Sequence, residues 1–197
     1  MSDPGTGVDA TDSPPLEPLL EVVRILERQG IAVALGGSGL LSALGLAHRV
    51  RDWDLTTDLD LAAISAALES YRSQSFGPDG IHADHKVVIP DHGIEVICGF
   101  AFQTPHGVVR IPTALTGRWK GVPLGSPEAW GVAYALMGHA EKSELLLDHL
   151  ARQGADRGIV DRLLREPLPD AIAERLKRLP QSVATSPPGS RPTSSNL

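Results

Sequence analysis

The sequence predicts a mixed α/β (α+β) fold: a small mixed β-sheet with flanking helices, followed by a C-terminal helical region. Short apolar runs bounded by glycine or polar residues alternate with helix-period segments as far as "HGVVRIP", and from Ser126 onward only the helical period remains. The composition lets such a chain bury a core, since 42% of its 197 residues are hydrophobic and 21% are charged.

The elements follow in order. "PLEPLLEVVRILERQG" sets Leu16, Leu19, Leu20, Val23 and Leu26 at helical spacing and stops at Gly30, a residue suited to the left-handed end of a helix. "IAVAL" reads as a short buried strand, and a Gly36-Gly37-Ser38 corner leads from it into the apolar helix "GLLSALGLA". "RDWDLTT" is a second strand, because Trp53 and Leu55 alternate with Asp52 and Asp54. "DLDLAAISAALESYR" follows as a helix capped by Thr57 or Asp58. "HADHKVVIP" and "GIEVICGFAF" form a strand pair turning at Asp91-His92, and "HGVVRIP" adds a further short strand. Four helices close the chain: "SPEAWGVAYALMGH", started by a Ser126 cap and Pro127, then "AEKSELLLDHLARQG", "DRGIVDRLLRE" and "DAIAERLKRL".

The expected organisation is an α/β domain over residues 15–120 and a helical region over 121–180 packed on it. Residues 1–14 and 181–197 are rich in Gly, Pro, Ser, Thr and Asp and are expected to be disordered tails. A net charge of −6 and a pI near 5.6 argue against a duplex-DNA surface. No apolar run reaches the length of a membrane span and the N-terminus carries no leader pattern, so a cytoplasmic protein without a membrane partner is expected. The single cysteine, Cys98, lies inside the apolar run "IEVICGF" and reads as a buried thiol; the scattered histidines lack the spacing of a zinc site.

The chemistry gathers in "VALGGSGLLSALGLAHRVRDWDLTTD". Residues i and i+2 of a strand share a face, so Asp52 and Asp54 project together while Trp53 and Leu55 face the apolar side. Two carboxylates side by side repel unless a cation lies between them, and oxygen donors alone favour Mg²⁺ or Mn²⁺ over zinc. Gly36 and Gly37 permit close backbone approach, Ser38 offers a hydroxyl, and the helix after them turns free N–H groups and a positive dipole end toward an anion. The combination suits a nucleoside triphosphate held as its metal salt. A second Asp-x-Asp, Asp58 and Asp60, falls at a helix start, where capping explains it. Lys142 could reach a triphosphate across the cleft, the other reading being a solvated helical lysine beside Glu141 and Glu144. Arg49 and Arg51 flank the aspartates as possible phosphate contacts, and Trp130, Tyr134 and Met137 fall at core-like helical spacing.

These residues carry a resemblance. "LGGSGLLSALGLAHRVRDWDL" resembles the signature of the nucleotidyltransferase superfamily with the DNA polymerase beta-like fold, particularly the small aminoglycoside, lincosamide and minimal nucleotidyltransferases. Leu35, Gly36, Gly37 and Ser38 match its first part, and Asp52 and Asp54 its second, thirteen residues beyond Ser38. The resemblance implies a third carboxylate on a later neighbouring strand. "GIEVICGF" supplies Glu95, where many members carry aspartate, with Asp84 and Asp91 as alternatives.

It further implies a nucleotidyltransferase-like fold and transfer of a nucleoside monophosphate from an NTP such as ATP to a hydroxyl acceptor, with release of pyrophosphate. Mg²⁺ or Mn²⁺ would be held by Asp52, Asp54 and Glu95 in one cleft, close enough to share one or two ions, and the phosphates by Gly36, Gly37, Ser38 and Lys142. The acceptor, whether a small molecule, a protein or an RNA end, is not legible. A nucleotide-binding or partner-binding module of the same fold without turnover is the other reading. A metal-dependent nuclease built on "PDHGIEV" would need lysine where Ile97 stands.

Overall fold

The structure is a computed structural model that describes residues 13–47 and 49–182. The expected tails lie outside these residues apart from their inner ends, which are tied down. The Val50 amide donates to Ser13 Oγ, and Ser182 N donates to the carbonyl of Ala155.

Helix α1 (Leu16–Arg28) buries Leu19, Val22, Val23 and Leu26 and leads to β1 (Ala34–Leu35), α2 (Gly37–Ala43), β2 (Trp53–Thr57) and α3 (Leu61–Ala67). Strands β3 (Gln74–Phe76), β4 (His85–Ile89) and β5 (Ile94–Cys98) come next, the last two joined by a 3₁₀ turn over Pro90–His92. A hairpin of β6 (Ala101–Thr104) and β7 (Gly107–Arg110) precedes β8 (Leu115–Trp119) and β9 (Val122–Gly125). Helices α4 (Pro127–Leu136), α5 (Ala140–Gln153), α6 (Arg157–Leu163) and α7 (Asp170–Lys177) end the fold.

Seven strands form one mixed sheet in the order β3-β4-β5-β2-β1-β9-β8; β6 and β7 pair separately. Strands β2 and β5 run parallel, with Asp54 opposite Glu95, and β1 runs parallel to β9. The expected second strand of the "GIEVICGFAF" run is thus two strands in two sheets. Gly99, in the left-handed conformation at φ 65°, breaks it after Cys98. Three strands were not foreseen: β3 and β8 are exposed almost throughout, so no buried alternation marks them, and β9 is four residues long and contains a proline.

The sheet separates two apolar layers. Trp53, Leu55, Ile94 and Val96 pack with α1 and α3 on one face. Ile97 and Phe100 pack with Leu40 of α2, Trp130 of α4 and Leu146 of α5 on the other. Burying the large apolar side chains of both layers, at roughly 1.5–3 kcal/mol apiece, is what positions the polar residues between them. Asp54 and Glu95 alternate with the first set and therefore face the second layer, at its open edge.

Candidate active site

One cleft of about 210 Å³ collects most of the predicted residues: Gly37, Ser38, Asp52, Asp54, Glu95 and Lys142 all line it. Gly36 does not; it packs against the Trp130 ring, and Arg49 is also absent from the lining. Arg51, His82, Lys86 and His139 complete the polar wall, and Phe100, Trp130 and Tyr134 the apolar one. A larger cleft, about 380 Å³, lies farther along the sheet between Asp58, Arg110, Arg162 and Arg165, with Glu166 beside them. It holds no carboxylates paired in strand register, so the smaller cleft is the candidate site.

The strand register builds the acidic floor. Asp54 on β2 and Glu95 on β5 are direct neighbours in a parallel pair, and Asp52 enters on the same face two residues earlier. Burial, then the Asp52 and Glu95 charges, push the Asp54 carboxyl up to about 7, against a weaker pull from Lys86 and Arg51. Glu95 Oε2 accepts from Lys86 Nζ at 3.3 Å. Lys86 stands opposite Ile97 across the antiparallel β4–β5 ladder, one diagonal step from Glu95.

The Gly-Gly-Ser corner is packed closely against Asp54 and Trp130. Gly37 sits at φ 54°, and a Cβ there would lie 1.7 Å from Asp54 Oδ2. A Cβ on Gly36 would lie 1.9 Å from the Trp130 ring. The glycines let the backbone approach Asp54 and Trp130. Ser38 Oγ accepts from the Arg51 amide at 3.2 Å and donates to the Asp52 carbonyl at 3.3 Å, so its hydroxyl fixes the entry to β2. The first-turn amides of α2 have no intrahelical partner.

The second Asp-x-Asp is structural, as capping implied, but the cap of α3 is Asp60 rather than Thr57 or Asp58. Asp60 Oδ1 accepts from the Ala63 amide at 2.9 Å, while Asp58 Oδ1 accepts from Thr113 N. Asp91 lies in the 3₁₀ turn and does not line the cleft.

Trp130 and Tyr134 are buried, as their spacing implied, and they also wall the cleft. Tyr134 Oη is enclosed without a hydrogen-bond partner, and burial first, then Asp54, drives its pKa upward. Lys142 Nζ lies 5.2 Å from the centre of the same ring. The roles of His82 and Lys86 were not foreseen: His82 lies just before β4, and Lys86, at its second position, meets Glu95 only across the β4–β5 ladder.

The donor chemistry of Asp52, Asp54 and Glu95 fits a hard divalent cation: three carboxylates share one cleft, and the buried one resists ionising without a counter-charge. Their placement is looser than expected. Among the described residues, no three His, Cys, Asp or Glu side chains are grouped so that they could hold an ion. Glu95, drawn to Lys86, is the reason we assign.

No family model matches this chain, and no curated protein matches it in sequence. Solved structures do match. The antibiotic-resistance factor ANT(2'')-Ia, in solution, is similar over 70% of this chain and 84% of its own, at 17% identity and a TM-score of 0.51. ANT(2'')-Ia in complex with adenylyl-2''-tobramycin is similar over 82% of this chain and 96% of its own, at 14% identity and a TM-score of 0.51. A candidate nucleotidyltransferase of Thermotoga maritima matches over 70% of this chain and 92% of its own, at 19% identity and a TM-score of 0.49. The chain has the nucleotidyltransferase-like fold.

Proposed function

We propose that this protein is a metal-dependent nucleotidyltransferase that moves a nucleoside monophosphate from an NTP, such as ATP, to a hydroxyl acceptor and releases pyrophosphate. The observation that carries the reading is the Asp54–Glu95 neighbour pair on parallel strands, with Asp52 on the same face, at the floor of a cleft on this fold. The fold's structural neighbours support it, and the one solved with adenylyl-2''-tobramycin favours a small hydroxylated acceptor over a macromolecule.

In this reading Asp52 and Asp54 hold Mg²⁺ or Mn²⁺, and Glu95 joins them by giving up Lys86. The ion, when bound, supplies charge stabilisation at the α-phosphate and neutralises the carboxylates that would otherwise repel the phosphates. Arg51 and Lys142 line the cleft as cations for the triphosphate, and the α2 amides add fixed partial charge. The apolar wall of Phe100, Trp130 and Tyr134 limits water around the reacting centre. A cytoplasmic setting goes with this chemistry; among the described residues no helix is long and apolar enough to cross a membrane.

The Lys86–Glu95 pair favours a second reading, a nucleotide-binding module of the same fold without turnover. Incubation with each NTP, Mg²⁺ or Mn²⁺ and pools of hydroxylated acceptors, followed by pyrophosphate release, separates the two. Metal-dependent release that Asp54→Asn abolishes is the expected result. Nucleotide binding without release in any pool would favour the inactive module.

A further inference from the structure

Beside the carboxylate floor lies a buried pair that nothing above employs. Asp84 precedes β4 with its side chain 1% exposed, and neither carboxylate oxygen accepts a hydrogen bond. Its one ionic neighbour is His82 Nδ1, at 3.4 Å. His82 Nδ1 is itself enclosed and without a hydrogen-bond partner, yet 22% of the side chain is exposed and the residue lines the cleft with Asp52, Asp54 and Glu95. The open part of the ring is therefore the part away from Asp84, which includes Nε2. The residue is firmly held: its amide donates to Asp79 Oδ1 at 2.7 Å, its carbonyl accepts from Asp79 N at 3.0 Å, and its ring lies 5.1 Å from that of Phe102.

We propose that His82 is the general base of the transfer, oriented by Asp84. The inference rests on the nucleotidyl-transfer reading. A buried carboxylate with no other partner fixes the proton of a neutral imidazole on Nδ1 and leaves the Nε2 lone pair for the cleft. In the transfer, Nε2 takes the proton of the acceptor hydroxyl while that oxygen bonds to the α-phosphorus. The bond from the α-phosphorus to the bridging oxygen breaks, its electron pair leaves with pyrophosphate, and His82 returns the proton to solvent. The imidazolium formed on the way gives Asp84 the counter-charge it lacks. Glu95 is the poorer base, because the oxygen that would take the proton is held by Lys86. Asp84 and Asp79 face His82 from its own segment, and Lys86, Asp52, Asp54, Glu95, Arg51, His139 and Lys142 share the cleft with it.

The test uses the full chain, the four ribonucleoside triphosphates with Mg²⁺, and acceptor pools. His82→Gln is expected to keep the melting shift given by Mg²⁺ with nucleotide and to lose about 10²–10⁴-fold in pyrophosphate release, with KM little changed. Added imidazole is expected to restore part of the rate of His82→Ala. Asp84→Asn, of the same shape, is expected to lower kcat with KM little changed and to lose little further rate when combined with His82→Gln; a purely structural pair would show the two losses adding in full. Pyrophosphate release by folded His82→Gln within threefold of wild type overturns the assignment, as does a fully additive loss in the His82→Gln, Asp84→Asn double variant. A wild-type chain that releases no pyrophosphate in any pool overturns the transfer reading itself, and the base assignment with it.

Discussion

Asp54 is where a buried charge costs stability. Burial pushes its carboxyl from the ordinary 3.8 up to about 7, so between those values the folded state holds a proton the unfolded state has lost. Stability from this group is fully present below pH 3.8 and is lost as pH rises through 7, by on the order of 4 kcal/mol. Asp54→Asn removes the loss: the variant is expected to be more stable than wild type at pH 8 and similar at pH 4, measured by denaturant unfolding at both. A variant less stable at pH 8 would show that the carboxylate is already compensated. Gly37 is bound to the same atom. Gly37→Ala sets a Cβ against Asp54 Oδ2 in a left-handed backbone, and a loss of about 2 kcal/mol or more is expected. Asp54→Ala in the Gly37→Ala background should recover part of it, because only the Asp54 Cβ, at 3.0 Å, then remains close. Additive losses in that double-mutant cycle would rule out the contact as the reason for glycine.

Among the elements, the strands of the site were the most legible and its supporting contacts the least. Trp53 and Leu55 alternating with Asp52 and Asp54, and Ile94 and Val96 alternating with Glu95, state which face is buried, and a buried face leaves the register little freedom. Lys86 was hidden because it meets Glu95 only through the β4–β5 ladder, whose register the turn at Pro90–Gly93 sets. The glycines were recognised for their conformation, but what approaches them is a tertiary fact: Trp130, from α4, lies almost a hundred residues away. Asp60 shows the opposite case, a local role read from a helix start, with the cap displaced by two or three residues. Asp60→Ala is expected to cost about 1 kcal/mol and to leave any transfer rate unchanged, which thermal unfolding and the pyrophosphate assay check together. Ser38→Ala is expected to cost about 1–2 kcal/mol and to lower the rate as well, because it frees the segment that delivers Asp52.

At the scale of the whole molecule, two apolar layers grip a sheet whose carboxylates Asp54 and Glu95, with Asp52 beside them, open into one cleft. The layers hold the strands that carry the carboxylates, and the protein is expected to respond to nucleotide and metal as one ligand. The most direct measurement is the melting midpoint of the wild-type chain with each NTP, with and without Mg²⁺ or Mn²⁺, beside Asp54→Asn. At about a hundredfold excess over Kd, Mg²⁺ with nucleotide is expected to add about 2.7 kcal/mol and raise the midpoint by roughly 5–10 °C. Nucleotide alone is expected to do much less, and Asp54→Asn to lose most of the shift. A midpoint that no NTP moves with either metal at millimolar concentration would contradict the nucleotide site.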